Sequence, residues 1–188
     1  MKNKARYLLV VSGPSGAGKD TVIAKLMEMH PEIEISVSAT TRAMRVGEKD
    51  GVNYHYLTQT DFEEKIAAGD MLEYANYCGN YYGTPKSEVD ARIEKNTTVV
   101  LVIEVQGAAN IKKMYPECTT VFICPPSKEE LIARLRGRGT ETEESIAKRL
   151  TRAEEEMALA PQYDYRVVNN DITACAQTIY EILQQRQA

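Results

Sequence analysis

Seven residues, Gly13-Pro14-Ser15-Gly16-Ala17-Gly18-Lys19, follow an apolar run at 7–12 and precede a helical pattern that reaches about residue 29. They match G-x-x-x-x-G-K in the strand–loop–helix setting that such a phosphate loop requires. Its glycines let the backbone wrap an anion, with successive N–H groups pointing inward. The helix that follows adds the positive end of its dipole. Lys19 brings a mobile cation to the β- and γ-phosphates of a nucleotide. One position departs from the motif: the residue after the lysine is Asp20 in place of Ser or Thr, with Thr21 next. A carboxylate there can either hold magnesium, directly or through water, or repel the phosphates and weaken nucleotide binding.

A loop of this kind belongs to an α/β fold, and the remaining apolar runs agree. Segments 99–104, 119–124 and 165–168 read as buried parallel strands, and a shorter run at 35–39 supplies a fifth. Helical patterns separate them, which predicts a three-layer α/β/α fold around a central, mainly parallel five-stranded sheet. The stretch from about 40 to 85 breaks the rhythm. It holds Tyr54, Tyr56, Tyr74, Tyr77, Tyr81 and Tyr82 among short alternating segments, with one helix near 61–68. That pattern predicts a small mixed β insertion. Residues 131–159 read as helical but split at Gly137-Arg138-Gly139-Thr140, a hinge. The last helix, about 172–185, carries Ile172, Ala176, Ile179, Ile182 and Leu183 as a core stripe.

With 188 residues the chain fits one domain with a real core. A formal net charge of −4 argues against general affinity for nucleic acid or anionic membranes. No apolar run approaches the roughly 18 residues that span a bilayer. The four cysteines are widely spaced and lack a Cys-x-x-Cys pair, which favours reduced thiols in a cytoplasmic protein.

A second informative block runs from Ser36 to Glu48, with Arg42 and Arg45 three residues apart. Guanidinium forks bind phosphate oxygens through paired N–H bonds. After it come Gly51 and Tyr54, Gly69-Asp70-Met71-Leu72-Glu73-Tyr74, Gly79-Asn80-Tyr81-Tyr82-Gly83-Thr84, Glu104-Val105-Gln106-Gly107 and Gly137-Arg138-Gly139-Thr140-Glu141-Thr142. With the phosphate loop, this ordered set resembles the guanylate kinases over nearly the whole chain. The resemblance implies transfer of the ATP γ-phosphoryl group to GMP, and to dGMP as well, with magnesium present. It also implies a core (about 1–39, 86–136 and 160–188), a GMP-binding insertion (about 40–85) and a lid (about 137–159), in a monomer or homodimer.

Position by position, the resemblance assigns Arg42, Arg45, Tyr54 and Tyr82 to the GMP phosphate. Ser38, Glu73 and Thr84 fall to the base, and Glu48, Gly83 and Glu104 to the same site. Gly13 to Thr21, Arg138, Arg149 and Asn169 fall to ATP, with Lys19, Arg42, Arg138 and Arg149 acting in catalysis. Glu104 stands where the family commonly has Asp, and Met44 where proline is common.

The chemistry of the base supports the assignment. Guanine offers N1–H and an N2 amine as adjacent donors and O6 as acceptor. Glu73 can accept both donors while Ser38 or Thr84 donates to O6; adenine would set an unprotonated N1 against the carboxylate. No general base is needed, because the acceptor phosphate has a second pKa near 6. A kinase of ribose phosphates would have little use for Glu73 with Ser38. A non-catalytic scaffold module would not keep Lys19 and both lid arginines. A regulatory GTPase would carry Asn-Lys-x-Asp, which is absent.

Overall fold

The structure, a computed structural model, describes residues 2–77, 79–136 and 143–187. The strands in chain order are β1 (Leu8–Ser12), β2 (Glu34–Ile35), β3 (Ala39–Thr40), β4 (His55–Tyr56), β5 (Met71–Tyr77), β6 (Asn80–Pro85), β7 (Val99–Val102), β8 (Thr119–Cys124) and β9 (Tyr165–Val168). The helices are α1 (Lys19–Met29), α2 (Gln59–Ala67), α3 (Lys86–Glu94), α4 (Val105–Met114), α5 (Lys128–Arg136), α6 (Glu143–Ala158) and α7 (Ile172–Gln187).

Five strands form one sheet in the order β2-β7-β1-β8-β9, and every pairing in it is parallel. β1 lies at its centre and is apolar at successive positions because both its faces are covered. Leu8 and Val10 meet Val89 and Ile93 of α3 and Ile111 of α4. Leu9 and Val11 face the other way, onto Ile23 and Leu26 of α1 and Ile179 and Leu183 of α7. The two-residue period of a strand sorts neighbours into opposite layers. Each such fully buried Leu, Ile or Val contributes roughly 1.5–3 kcal/mol. Cys118, Cys124 and Cys175 are buried free thiols. No described helix is long and apolar enough to cross a membrane.

The four remaining strands make a mixed sheet in the order β4-β3-β6-β5, with β3 parallel to β4 and antiparallel to β6. The expected fifth core strand at 35–39 is divided between the two sheets. Glu34–Ile35 pairs with β7, and Ser36 N still donates to Val100 O at 3.0 Å. Two residues on, Ser38 O already accepts from His55 N at 2.8 Å, so one extended segment crosses from one sheet to the other. The insertion helix starts earlier than expected, at Gln59, because the Thr58 side chain caps it by accepting from Asp61 N. Ile172, expected in the core stripe of α7, is 40% exposed at the first position of that helix. The hinge residues 137–142, Arg138 among them, lie outside the described residues.

Candidate active site

In parallel sheets, ligands bind beyond the carboxyl ends of the strands. Here the loops leaving β1, β7 and β9 bring Gly13 to Lys19, Ile103 with Glu104, and Asn169 to one edge. Gly13 and Gly18 have φ of +149° and +86°. A Cβ on Gly13 would lie 2.3 Å from Ile123 O, and one on Gly18 2.5 Å from Asn169 Nδ2. Backbone shape and close packing both demand glycine at these two positions. The buried Asn169 donates from Nδ2 to Ala17 O at 2.8 Å, and Arg134 Nη1 reaches the same carbonyl at 3.4 Å. Lys19 Nζ donates to Gly13 O at 2.6 Å and Pro14 O at 3.1 Å, which holds the ammonium over the loop. From α6, Arg149 Nη1 donates to Ser15 Oγ at 3.1 Å. A cavity of about 380 Å³ opens here, lined by Gly13, Ser15, Lys19, Asp20, Glu104 and Arg149 among others.

The second cavity, about 670 Å³, lies between the two sheets, and Ser38, Arg42, Arg45, Glu48, Tyr54, Glu73, Tyr82, Gly83 and Glu104 all line it. Glu48 grips Arg42, accepting from Nη2 at 2.9 and 3.0 Å. It also accepts from Arg45 N at 2.8 Å and from Tyr56 Oη at 2.7 Å. The Arg42 guanidinium lies 5.5 Å from the Tyr54 ring centre and 5.8 Å from that of Tyr56. Hydrogen bonding to Arg42, with help from Arg45 N–H and Tyr56, lowers the Glu48 carboxyl to about 2, so the clamp stays charged down to strongly acidic pH. An anionic carboxylate repels phosphate, so the place of Glu48 is behind the arginine, aiming it. The hydroxyls of the Thr40-Thr41 run serve the backbone: Thr40 Oγ1 donates to Tyr81 O at 2.8 Å, and Thr41 Oγ1 accepts from Tyr81 N at 2.9 Å.

Glu73 is 7% exposed in the wall of this cavity. Thr84 Oγ1 donates to its Oε1 at 2.7 Å. An ionised carboxylate only accepts, so this threonine proton is committed to Glu73, and Ser38 remains as the hydroxyl for a base oxygen. Burial raises the Glu73 carboxyl above its usual range and the Glu104 charge adds to this, while the Thr84 bond opposes both. Glu104 uses Oε1 to cap α4 at Gly107 N, 2.9 Å away, so its longer side chain is held at the helix start. A Cβ on Gly107 would fall 2.8 Å from Glu73 Oε2. Gly107→Ala is therefore expected to displace the Glu73 carboxylate and raise the KM for a guanine substrate about 10-fold, at little cost to Tm. Initial rates against acceptor concentration, beside a thermal melt, check this; an unchanged KM would refute it.

Both cavities are lined by Lys19, Val102, Ile103, Glu104 and Arg152. One cation-bearing junction thus joins an anion loop to an arginine clamp. Two anionic ligands, one in each cavity, would meet end to end there. Pro14, Gly16, Ala17, Gly18, Thr21, Thr84 and Asn169 line neither of these two cavities: Gly16 packs on Leu131 and Leu135, and Thr21 is exposed on α1. Tyr56, Gly107, Arg134 and Arg152 were not singled out from sequence. Tyr56 was legible, since alternation on β4 puts it on the same face as Tyr54.

A family model described as guanylate kinase matches residues 5–186. The chain belongs to the guanylate kinase family. It is 51% identical to a guanylate kinase of Gloeobacter violaceus over 176 residues, 94% of this chain and 86% of the relative. A guanylate kinase of Prochlorococcus marinus subsp. pastoris is 46% identical over 184 residues, 98% of this chain and all of the relative. The crystal structure of the Anaplasma phagocytophilum guanylate kinase superposes with a TM-score of 0.78 at 38% identity, covering 96% of this chain and 85% of that one. A shikimate kinase from Bacteroides thetaiotaomicron, at 18% identity and TM-score 0.51, shares the fold alone.

Proposed function

We propose that this protein transfers the γ-phosphoryl group of ATP to GMP, and to dGMP, giving ADP and GDP or dGDP. The junction of the two cavities at Lys19 carries the reading, because it puts an ATP-type loop and a phosphate clamp within reach of one cation. ATP lies along Gly13 to Thr21, with Arg149 above Ser15 and Asn169 behind the loop; the family resemblance also gives Arg138, outside the described residues, to ATP. The GMP phosphate rests on Arg42, Arg45, Tyr54 and Tyr82, and guanine on Glu73, Ser38 and Gly83. Glu48 and Thr84 hold Arg42 and Glu73 in place. The core, an insertion of about 40–85 and a lid of about 137–159 divide the work, the lid carrying Arg149 to the loop. The acceptor phosphate is already anionic at neutral pH, so the residues position two anions in line and stabilise the charge between them. Closing the site over both also keeps water from serving as the acceptor.

Among the described residues no group of three or more His, Cys, Asp or Glu side chains could hold a metal by itself. A lone carboxylate beside a phosphate loop fits magnesium, which takes one or two carboxylates and completes its shell with phosphate oxygens and water. Asp20, in the wall of the loop cavity, would supply the carboxylate. Magnesium held there would supply neutralisation of phosphate charge.

The test is ADP release from ATP with GMP, dGMP, AMP, CMP or UMP as acceptor, repeated over a magnesium series with Asp20→Ser. GMP is expected to turn over fastest, and the variant to need more magnesium. Turnover with AMP but not GMP would overturn the base assignment, and an unshifted magnesium curve the role of Asp20.

A further inference from the structure

We propose that Arg152 is a further catalytic residue, whose guanidinium contacts the phosphoryl group as it passes between the two nucleotides. Two described cations line both cavities, Lys19 and Arg152, and the loop lysine accounts for only one of them. Arg152 lies three residues beyond Arg149 on α6, so the two side chains share a helix face one turn apart. Arg149 reaches Ser15 in the donor loop. The next step along that face leads from the donor side to the region the cavities hold in common. Glu156, four residues further on, accepts from Arg152 Nε at 3.1 Å and is itself only 13% exposed. This contact fixes the plane of the fork over the junction, as Glu48 fixes that of Arg42.

The charge balance at the junction gives this arginine its purpose. Glu104 also lines both cavities, and Asp20 and Glu156 line the donor one. Arg42 is paired with Glu48 on the acceptor side. During transfer the bond from the γ-phosphorus to the β–γ bridging oxygen breaks, and one forms to an oxygen of the acceptor phosphate. No proton need move, and negative charge spreads over three equatorial oxygens. A planar fork at the junction answers that charge in a way a single ammonium cannot. Arg152 is 47% exposed, so its removal leaves the core untouched.

The proposal rests on the guanylate kinase reading above, and the experiment separates the two. Wild type, Arg152→Gln, Arg152→Lys and Glu156→Gln are compared in steady-state kinetics with ATP and GMP. Calorimetry then measures binding of GMP alone, ADP alone, and a dinucleotide of adenosine and guanosine joined by five phosphates. Arg152→Gln is expected to lower kcat about 10²–10³-fold, the scale of losing one donor aimed at developing charge. Affinities for GMP and ADP singly stay near wild type, while the dinucleotide, which spans the junction, binds at least tenfold more weakly. Arg152→Lys recovers part of the rate, and Glu156→Gln lowers kcat with both KM values kept. A kcat for Arg152→Gln close to wild type would overturn the proposal, as would a loss carried entirely by the KM of one nucleotide. A wild type without GMP-dependent ADP release would overturn the functional reading itself, and this proposal with it.

Discussion

Glu73→Gln is expected to cost about 10²–10³-fold in kcat/KM for GMP and to collapse discrimination against AMP, which in sites built on buried hydrogen bonds reaches roughly 10⁴–10⁵. The amide keeps an oxygen for Thr84 but offers N–H where guanine N1 and N2 also offer N–H, so two donors face each other. The loss should sit in binding: calorimetry of GMP alone reports it, and unchanged GMP affinity in the variant would remove Glu73 from base recognition.

Acidification should expose the same residue. Burial, aided by Glu104, holds the Glu73 carboxyl above the ordinary value of 4.5. The proposed base contact needs it ionised, so GMP affinity should fall as pH drops through that raised value. Glu48, lowered to about 2, keeps its grip on Arg42 throughout this window. The GMP phosphate, with a pKa near 6, also titrates here. The glutamine variant shows that component alone, and the difference between the two profiles belongs to Glu73.

Stability runs in the opposite sense. The folded carboxyl binds its proton more tightly than the unfolded one, so its contribution is fully present below about 4.5 and is lost as pH rises through the raised value. Glutamine removes that loss. The free variant should melt at a higher temperature than wild type at neutral pH, while the wild type alone gains strongly from added GMP. A variant that melts lower would contradict the burial argument.

Lys19→Met should be the most damaging change to the rate, at about 10³-fold or more in kcat, since it removes the ammonium that both cavities share. Its bonds to Gly13 O and Pro14 O show that the cation is pre-positioned over the loop. The proposed guanine contacts, Glu73 and Ser38, lie elsewhere, so GMP should bind the variant with nearly wild-type affinity. ADP release and GMP calorimetry together test this. A variant with full kcat would place the chemistry outside this junction.

Most of the core was legible because its cause is one-dimensional. Apolar runs at 99–102 and 119–124 can only be buried on both faces, and the strands formed where that pattern predicts. The segment 35–39 supplies the fifth core strand only at its start, because its two ends pair with different sheets. A run of extended residues does not reveal its partners, and the change from Val100 to His55 depends on residues far along the chain. The boundary of α2 moved for a local reason, the Thr58 cap, that the sequence did contain.

Site residues divide along the same line. Gly13 to Lys19, the Arg42–Arg45 pair and Glu73 could be picked out because motif spacing and chemical type mark them. Arg152 was hidden among the charges of α6, although its three-residue offset from Arg149 was there to be read. Gly107 stood in the Glu104-Val105-Gln106-Gly107 block with no role of its own until the fold brought Glu73 Oε2 to within 2.8 Å of where its Cβ would be. The commitment of Thr84 to Glu73 and of Glu48 to Arg42 came with the same closeness. By itself the sequence determined the kind of chain this is: a phosphate loop on a parallel sheet, followed by a guanidinium pair and a carboxylate within a tyrosine-rich insertion. Only the tertiary structure decided which of those groups face a ligand and which hold another in place, because a hydrogen bond depends on distance in space and spacing along the chain does not encode it.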